Sequence, residues 1–178
     1  SPPLAQPFNS PRDVEMMPDG RLVITDTNND RIVVCDATGS VCSTFGGTGG
    51  QIGQFSEPTG VAVDSLGRII IADRLNHRIQ VCNETGTSCS AFGSFGSAVG
   101  QFSGPADIDI DSENNIVIAD RFNDRIQICT SQGACTAFGS IGTANGQFIE
   151  PWGVTVDAQD RIFVVDSGND RIQIFSDQ

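Results

Sequence analysis

The sequence repeats itself four times. Arg-Ile recurs at 31, 78, 125 and 171, in steps of 47, 47 and 46, and Gly-Gln-Phe recurs at 53–55, 100–102 and 146–148, with Gln6-Pro7-Phe8 in the equivalent place at the start. A period in this range means that one supersecondary unit is copied and that each copy buries its apolar face against the next. The units fall at about 8–52, 55–99, 102–145 and 148–178, and together they are read as a single domain over 1–178.

The second unit shows most plainly what is copied. Gly60-Val61-Ala62-Val63-Asp64 alternates, Ser65-Leu66-Gly67 turns, and Arg68–Asp73 is a second β-branched run. A third strand follows at Arg78–Cys82 and a fourth at Ser88–Phe92, after which the Gly-rich stretch from Gly93 to Pro105 leads into the next unit. The first turn holds Gly20, Gly67, Asn114 and Asp160 in the four units, residues that accept a left-handed backbone or shape turns through side-chain hydrogen bonds. No segment keeps a helical period, so the chain is all-β. Four antiparallel strands per unit at this spacing predict a β-propeller of four blades.

The units resemble NHL repeats. The resemblance is carried by Asp73-Arg74-Leu75-Asn76-His77-Arg78-Ile79-Gln80-Val81, in which Asn76-His77-Arg78 stands for the family's Asn-His-Leu, and by Gly-Gln-Phe followed by Pro58-x-Gly60-Val61. The family usually closes with about six blades, and here there are four. The fourth unit reaches Asp177-Gln178 just after its third strand, so three blades are expected to be four-stranded and the last to lack its outer strand unless another chain or segment completes it. The segment Ser1–Phe8, with Pro2, Pro3 and Pro7, is a poor substitute strand. An unpaired edge in the last blade is therefore expected, and such edges recruit partner strands.

Charge removes several functions. Twenty-two acidic residues stand against ten arginines, with no lysine, for a net charge of -12. Polyanion binding needs clustered cations, so nucleic acid and anionic membrane are excluded as expected partners. Apolar runs are far shorter than the ~20 residues of a membrane-spanning helix, so no membrane insertion is expected. The chain starts at Ser1 and shows no basic-then-apolar leader, and is read as processed or excised from something longer.

The cysteines report the compartment. Cys35/Cys42, Cys82/Cys89 and Cys129/Cys135 each bracket the hairpin between the third and fourth strands of a unit. In the fourth unit the first cysteine position is Phe175, so cysteine occurs only where its mate exists. Opposed residues on antiparallel strands lie within disulfide reach, and two sulfurs per blade with one histidine in the chain suit a zinc site poorly. Three disulfides are expected, and with them an extracellular, secreted protein. On that route Asn83-Glu84-Thr85, at a hairpin tip, is a candidate N-glycosylation site at Asn83.

Residues common to every unit are read as structural. Asp26/Arg31, Asp73/Arg78, Asp120/Arg125 and Asp166/Arg171 flank a turn that also holds Asn29, Asn76, Asn123 and Asn169, an arrangement suited to charge-assisted turn stapling. Where units differ, function is sought. Asp13, Glu15, Asp107 and Asp109 on the innermost strands of units one and three stand where the others have Gly60, Ala62, Gly153 and Thr155. Facing one another across the axis, these carboxylates form a candidate calcium site, and their alternative is a hydrated acidic channel. Trp152 replaces Arg12, Thr59 and Ala106, and reads as interface or core filler ahead of a stacking platform. His77, at the place of Asp30, Asp124 and Asp170, reads as a family signature position rather than a base.

No catalytic motif accompanies the repeats. A serine nucleophile elbow, a phosphate-binding glycine loop and an HExxH string are absent. The family's amidating lyases depend on a histidine-bound zinc and a tyrosine, which one histidine and no tyrosine do not supply. The expectation is a secreted non-catalytic propeller with a structural or interaction role, self-associating into a fibre or array, or pairing with another extracellular protein, and needing no cofactor. Its alternatives are a soluble receptor for a peptide or glycan and a calcium-dependent hydrolase or lactonase.

Overall fold

Four antiparallel sheets stand in a ring, each a blade of a β-propeller. The structure, a computed structural model, describes residues 7–176. Blade 1 comprises β1 (Pro11–Met16), β2 (Leu22–Asp26), β3 (Arg31–Cys35) and β4 (Cys42–Gly46), and blade 2 comprises β5 (Pro58–Val63), β6 (Ile69–Asp73), β7 (Arg78–Cys82) and β8 (Cys89–Phe92). Blade 3 comprises β9 (Pro105–Ile110), β10 (Ile116–Asp120), β11 (Arg125–Cys129) and β12 (Cys135–Phe138). Blade 4 has three strands among the described residues, β13 (Pro151–Val156), β14 (Ile162–Asp166) and β15 (Arg171–Phe175). The expectation for the start of the chain falls largely on residues 1–6, outside those described. Among the described residues no helix is long and apolar enough to cross a membrane.

Turn chemistry explains why each unit folds alike. The turn residues between the first two strands, Gly20, Gly67, Asn114 and Asp160, all have positive φ, from 57° to 88°. Between the second and third strands a short 3-10 turn ends on a left-handed residue, Asp30, His77, Asp124 or Asp170, with φ of 51° or 52°. Asp tolerates that conformation better than most residues, which accounts for its choice in three blades.

The core lies between blades. Val23, Ile32 and Val34 of blade 1 pack on Val61, Ile69 and Ile71 of blade 2. Ile70, Ile79 and Val81 of blade 2 pack on Ile108, Ile116 and Ile118 of blade 3, and Val117, Ala119 and Ile126 of blade 3 pack on Val154, Ile162 and Val164 of blade 4. Each blade thus has a leading face and a trailing face. A linker phenylalanine, Phe55, Phe102 or Phe148, is fully buried at each junction. The chain passes these rings at a glycine: at Gly93, with φ of +93°, a Cβ would stand 2.5 Å from the Phe102 ring. Disulfides join Cys35–Cys42, Cys82–Cys89 and Cys129–Cys135, each pair directly opposed across its outer hairpin. Phe175, at the corresponding place in blade 4, packs instead on Phe138 and Phe148.

Candidate functional site

Each blade seats one fully buried carboxylate at the end of its second strand. Asp73 Oδ2 accepts from Arg78 Nε at 2.7 Å, from Asn76 Nδ2 at 2.9 Å and from Gln80 Nε2 at 3.0 Å, while Oδ1 accepts the Ser56 amide at 2.8 Å. Arg78 then donates to the carbonyls of Gly50, Gln51 and Gln54 in the linker between blades. The same arrangement recurs at Asp120/Arg125 and Asp166/Arg171, and without the glutamine at Asp26/Arg31, where Val33 takes its place. At Asp166 burial pushes the carboxyl up, but the Ile149 amide with Asn169, Arg171 and Gln173 holds it below the usual range. A buried charge satisfied at every lone pair holds turn, strand and linker together.

His77 has a matching task. Its Nδ1 accepts the Gly104 amide of the next blade at 3.1 Å, as Asp30 Oδ1 accepts that of Glu57 and Asp124 Oδ1 that of Glu150, both at 2.8 Å. The histidine thereby replaces a carboxylate as a tie between blades, and its ring rests on Phe95.

The axial carboxylates also work between blades. Asp13 of blade 1 accepts the Val61 amide of blade 2 at 2.8 Å, and Asp107 of blade 3 accepts the Val154 amide of blade 4 at 3.0 Å. Asp109 accepts the Val156 amide at 2.7 Å and the Thr155 hydroxyl at 2.9 Å. Burial raises Asp107 to about 7, with the neighbouring charges of Asp13 and Asp109 adding to it against the Val154 amide. Burial likewise raises Asp13 and Glu15, with Asp109 reinforcing both. The four acids are electrostatic neighbours. Three of them point their oxygens at amides of the adjoining blade or their own strand, and among the described residues no three His, Cys, Asp or Glu side chains are grouped so as to hold a metal. Glycine at position 60 has a steric cause: a Cβ there would stand 2.7 Å from the Asp107 Cα.

Aromatic and guanidinium groups cap one end of the axis, a cluster that the sequence reading did not assemble. Trp152 has the Arg121 guanidinium 4.5 Å and the Arg12 guanidinium 5.4 Å from its ring centre, and Arg121 also stacks on Phe122. Arg121 pairs with Glu150, whereas Arg12 has no carboxylate partner among the described residues. Arg12, Asp13, Thr59, Asp107 and Trp152 surround an axial cavity of about 90 Å³. Asn83 lies at the tip of the β7–β8 hairpin, its Nδ2 donating to Thr87 Oγ1 at 3.0 Å and its Oδ1 accepting the Ser88 amide at 3.2 Å.

The boundary between blade 4 and blade 1 is different in kind from the other three. Ile172 is 58% exposed, whereas Ile32, Ile79 and Ile126 at the same repeat position are fully buried. Val14 is 56% exposed and its counterpart Val61 only 2%. Val165, Ile174 and Met16 are exposed on the same two faces. Near the axis Arg12 and Trp152 span the gap, and further out the apolar faces stay open.

The NHL repeat model matches residues 8–39, 55–82 and 148–175. The third unit has the same order of strands and 3-10 turn as these three. A search of curated proteins finds no match. Among solved structures, the chain is similar to a catalytically inactive virginiamycin B lyase from Staphylococcus aureus with quinupristin, at 20% identity and a TM-score of 0.73, covering 97% of this chain and 57% of that one. It is similar to a putative gluconolactonase at 14% identity and a TM-score of 0.74, covering 98% of this chain and 62% of that one. A chain of a nidogen/laminin complex matches at 20% identity and a TM-score of 0.67, covering 94% of this chain and 65% of that one. The chain spans less than two thirds of each of these neighbours, and at such identities the likeness is one of fold.

Proposed function

This chain is an NHL-repeat β-propeller, and from that premise we propose that it serves outside the cell as a non-catalytic structural or interaction module, one that associates with further copies of itself into a fibre or array. The observation that carries the reading is the pair of apolar faces on blades 1 and 4, whose counterparts in the other blades are buried. Exposed apolar surface of this kind marks sites of protein association. Three disulfides, with no free cysteine among the described residues, support an oxidising compartment. Asn83 at its hairpin tip is a glycan acceptor on the same reading. Light scattering on the oxidised chain tests the proposal: particles heavier than one chain are expected, and a single species of 18.8 kDa at all concentrations overturns it.

The second reading is a receptor. It is favoured by Arg12, a guanidinium without a carboxylate partner among the described residues, set on Trp152 at the mouth of the axial cavity. A carboxylated peptide or glycan fits that chemistry. Titration of the monomer with a glycan or peptide panel tests it, and loss of binding in Arg12→Ala is the expected signature.

A further inference from the structure

We infer that the trailing face of blade 4 docks on the leading face of blade 1 in a second copy of this chain, so that copies join head to tail. This rests on the self-association proposed above and specifies which surfaces carry it.

The three built junctions state what each face is for. At each, a trailing face meets the leading face of the following blade, with a linker phenylalanine buried between them. On the trailing side the repeat positions are Ile32/Val34, Ile79/Val81, Ile126/Ile128 and, in blade 4, Ile172/Ile174. On the leading side they are Val14/Met16, Val61/Val63, Ile108/Ile110 and Val154/Val156. Blade 4 thus has a trailing set of the kind that faces a leading set everywhere else, and blade 1 has the leading set. Phe8, the counterpart of the buried Phe55, Phe102 and Phe148, is only half-buried against Ile24 on blade 1's leading face. A trailing face laid over it would complete the position.

The innermost strands agree with this pairing. At the junction of blades 2 and 3, Gly60 receives the main chain of Asp107, which no side chain at that position would allow. In the head-to-tail pair the corresponding residues are Gly153 of one copy and Asp13 of the other. Gly153 now has the Val165 side chain and the Asp107 carboxylate as its nearest neighbours, with no main-chain atom among its three closest contacts. The new junction therefore repeats the combination of glycine and aspartate already built between blades 2 and 3. Pairing like faces, blade 4 on blade 4 or blade 1 on blade 1, would repeat no junction in the molecule. Each chain presents one surface of each kind, so the contact is heterologous and its copies form closed rings or open chains according to the rotation between them.

The test uses two double variants at exposed positions, Ile172→Glu with Ile174→Glu, and Val14→Glu with Met16→Glu. Circular dichroism melts check that each folds like the parent. The inference expects each variant alone to have the mass of one chain, and their equimolar mixture to form a particle of twice that mass and nothing larger, because one intact surface of each kind remains. A parent that is monomeric by itself overturns this inference together with the self-association it rests on. A parent that assembles while either variant assembles equally well, or while the mixture stays monomeric, overturns the head-to-tail pairing and leaves self-association standing.

Discussion

The Asp107 carboxylate accepts the amide of Val154 at 3.0 Å, joining the innermost strands of blades 3 and 4 at the most acidic part of the axis. The hydrogen bond favours the ionised form, and burial beside Asp13 and Asp109 opposes it more strongly. Raised from 3.8 to about 7, the group keeps its proton in the folded chain where the unfolded chain has lost it. Its stabilisation is complete below pH 3.8 and is lost as pH rises through about 7. Asp107→Asn retains an acceptor for Val154 and removes the charge. It is expected to stabilise the fold at pH 8 by on the order of 2 kcal/mol, with the gain vanishing near pH 3.5, roughly the unperturbed Asp value. Thermal melts of both chains against pH check this.

Removing the buried carboxylate of a turn network leaves a guanidinium and an asparagine without their acceptor. Asp73→Ala is expected to cost about 3 to 5 kcal/mol, the range for breaking a buried pair from one side. Asp73→Asn should cost less, because one oxygen remains. Urea titrations followed by Trp152 fluorescence and by circular dichroism measure both.

The disulfides close loops with sequence separations of 6 or 7. Short loops remove little chain entropy, so Cys82→Ser with Cys89→Ser is expected to cost about 2 kcal/mol and to leave the blade folded. The double variant is compared with its parent by denaturant titration, and thiol counting on the unreduced parent should find none free.

Calcium and a chelator are expected to leave the melting curve unchanged, since three of the four axial acids already accept amide hydrogens. An ester and lactone panel is expected to show no turnover. A calcium-dependent rise in Tm would make Asp13, Glu15, Asp107 and Asp109 ligands, and turnover lost in Asp107→Ala would make the propeller an enzyme.

Strand order, turn positions and disulfide partners are all legible in the sequence because each depends on residues near one another along the chain. Gly67 and Asn114 mark turns by their own backbone preferences, and Cys82 faces Cys89 across one short hairpin. The axial site is only half legible. That Asp13 and Asp107 share the axis follows from the repeat, but their hydrogen bonds to Val61 and Val154 run to other blades, 48 and 47 residues away. The contact of Trp152 with Arg12 and Arg121 is lost for the same reason. Least legible is exposure: Ile79 and Ile172 occupy the same repeat position in nearly the same local sequence, and only the blade beside them distinguishes one from the other.

The alternation of aspartate with glycine around the axis makes the unit of growth two blades rather than one. Inserting or deleting a single repeat between two others would bring two acid-bearing strands side by side, or two bare ones, whereas gain or loss of an adjacent pair preserves the phase. A designer lengthening this molecule from within should therefore copy residues 55–145 or another two-repeat block as one cassette.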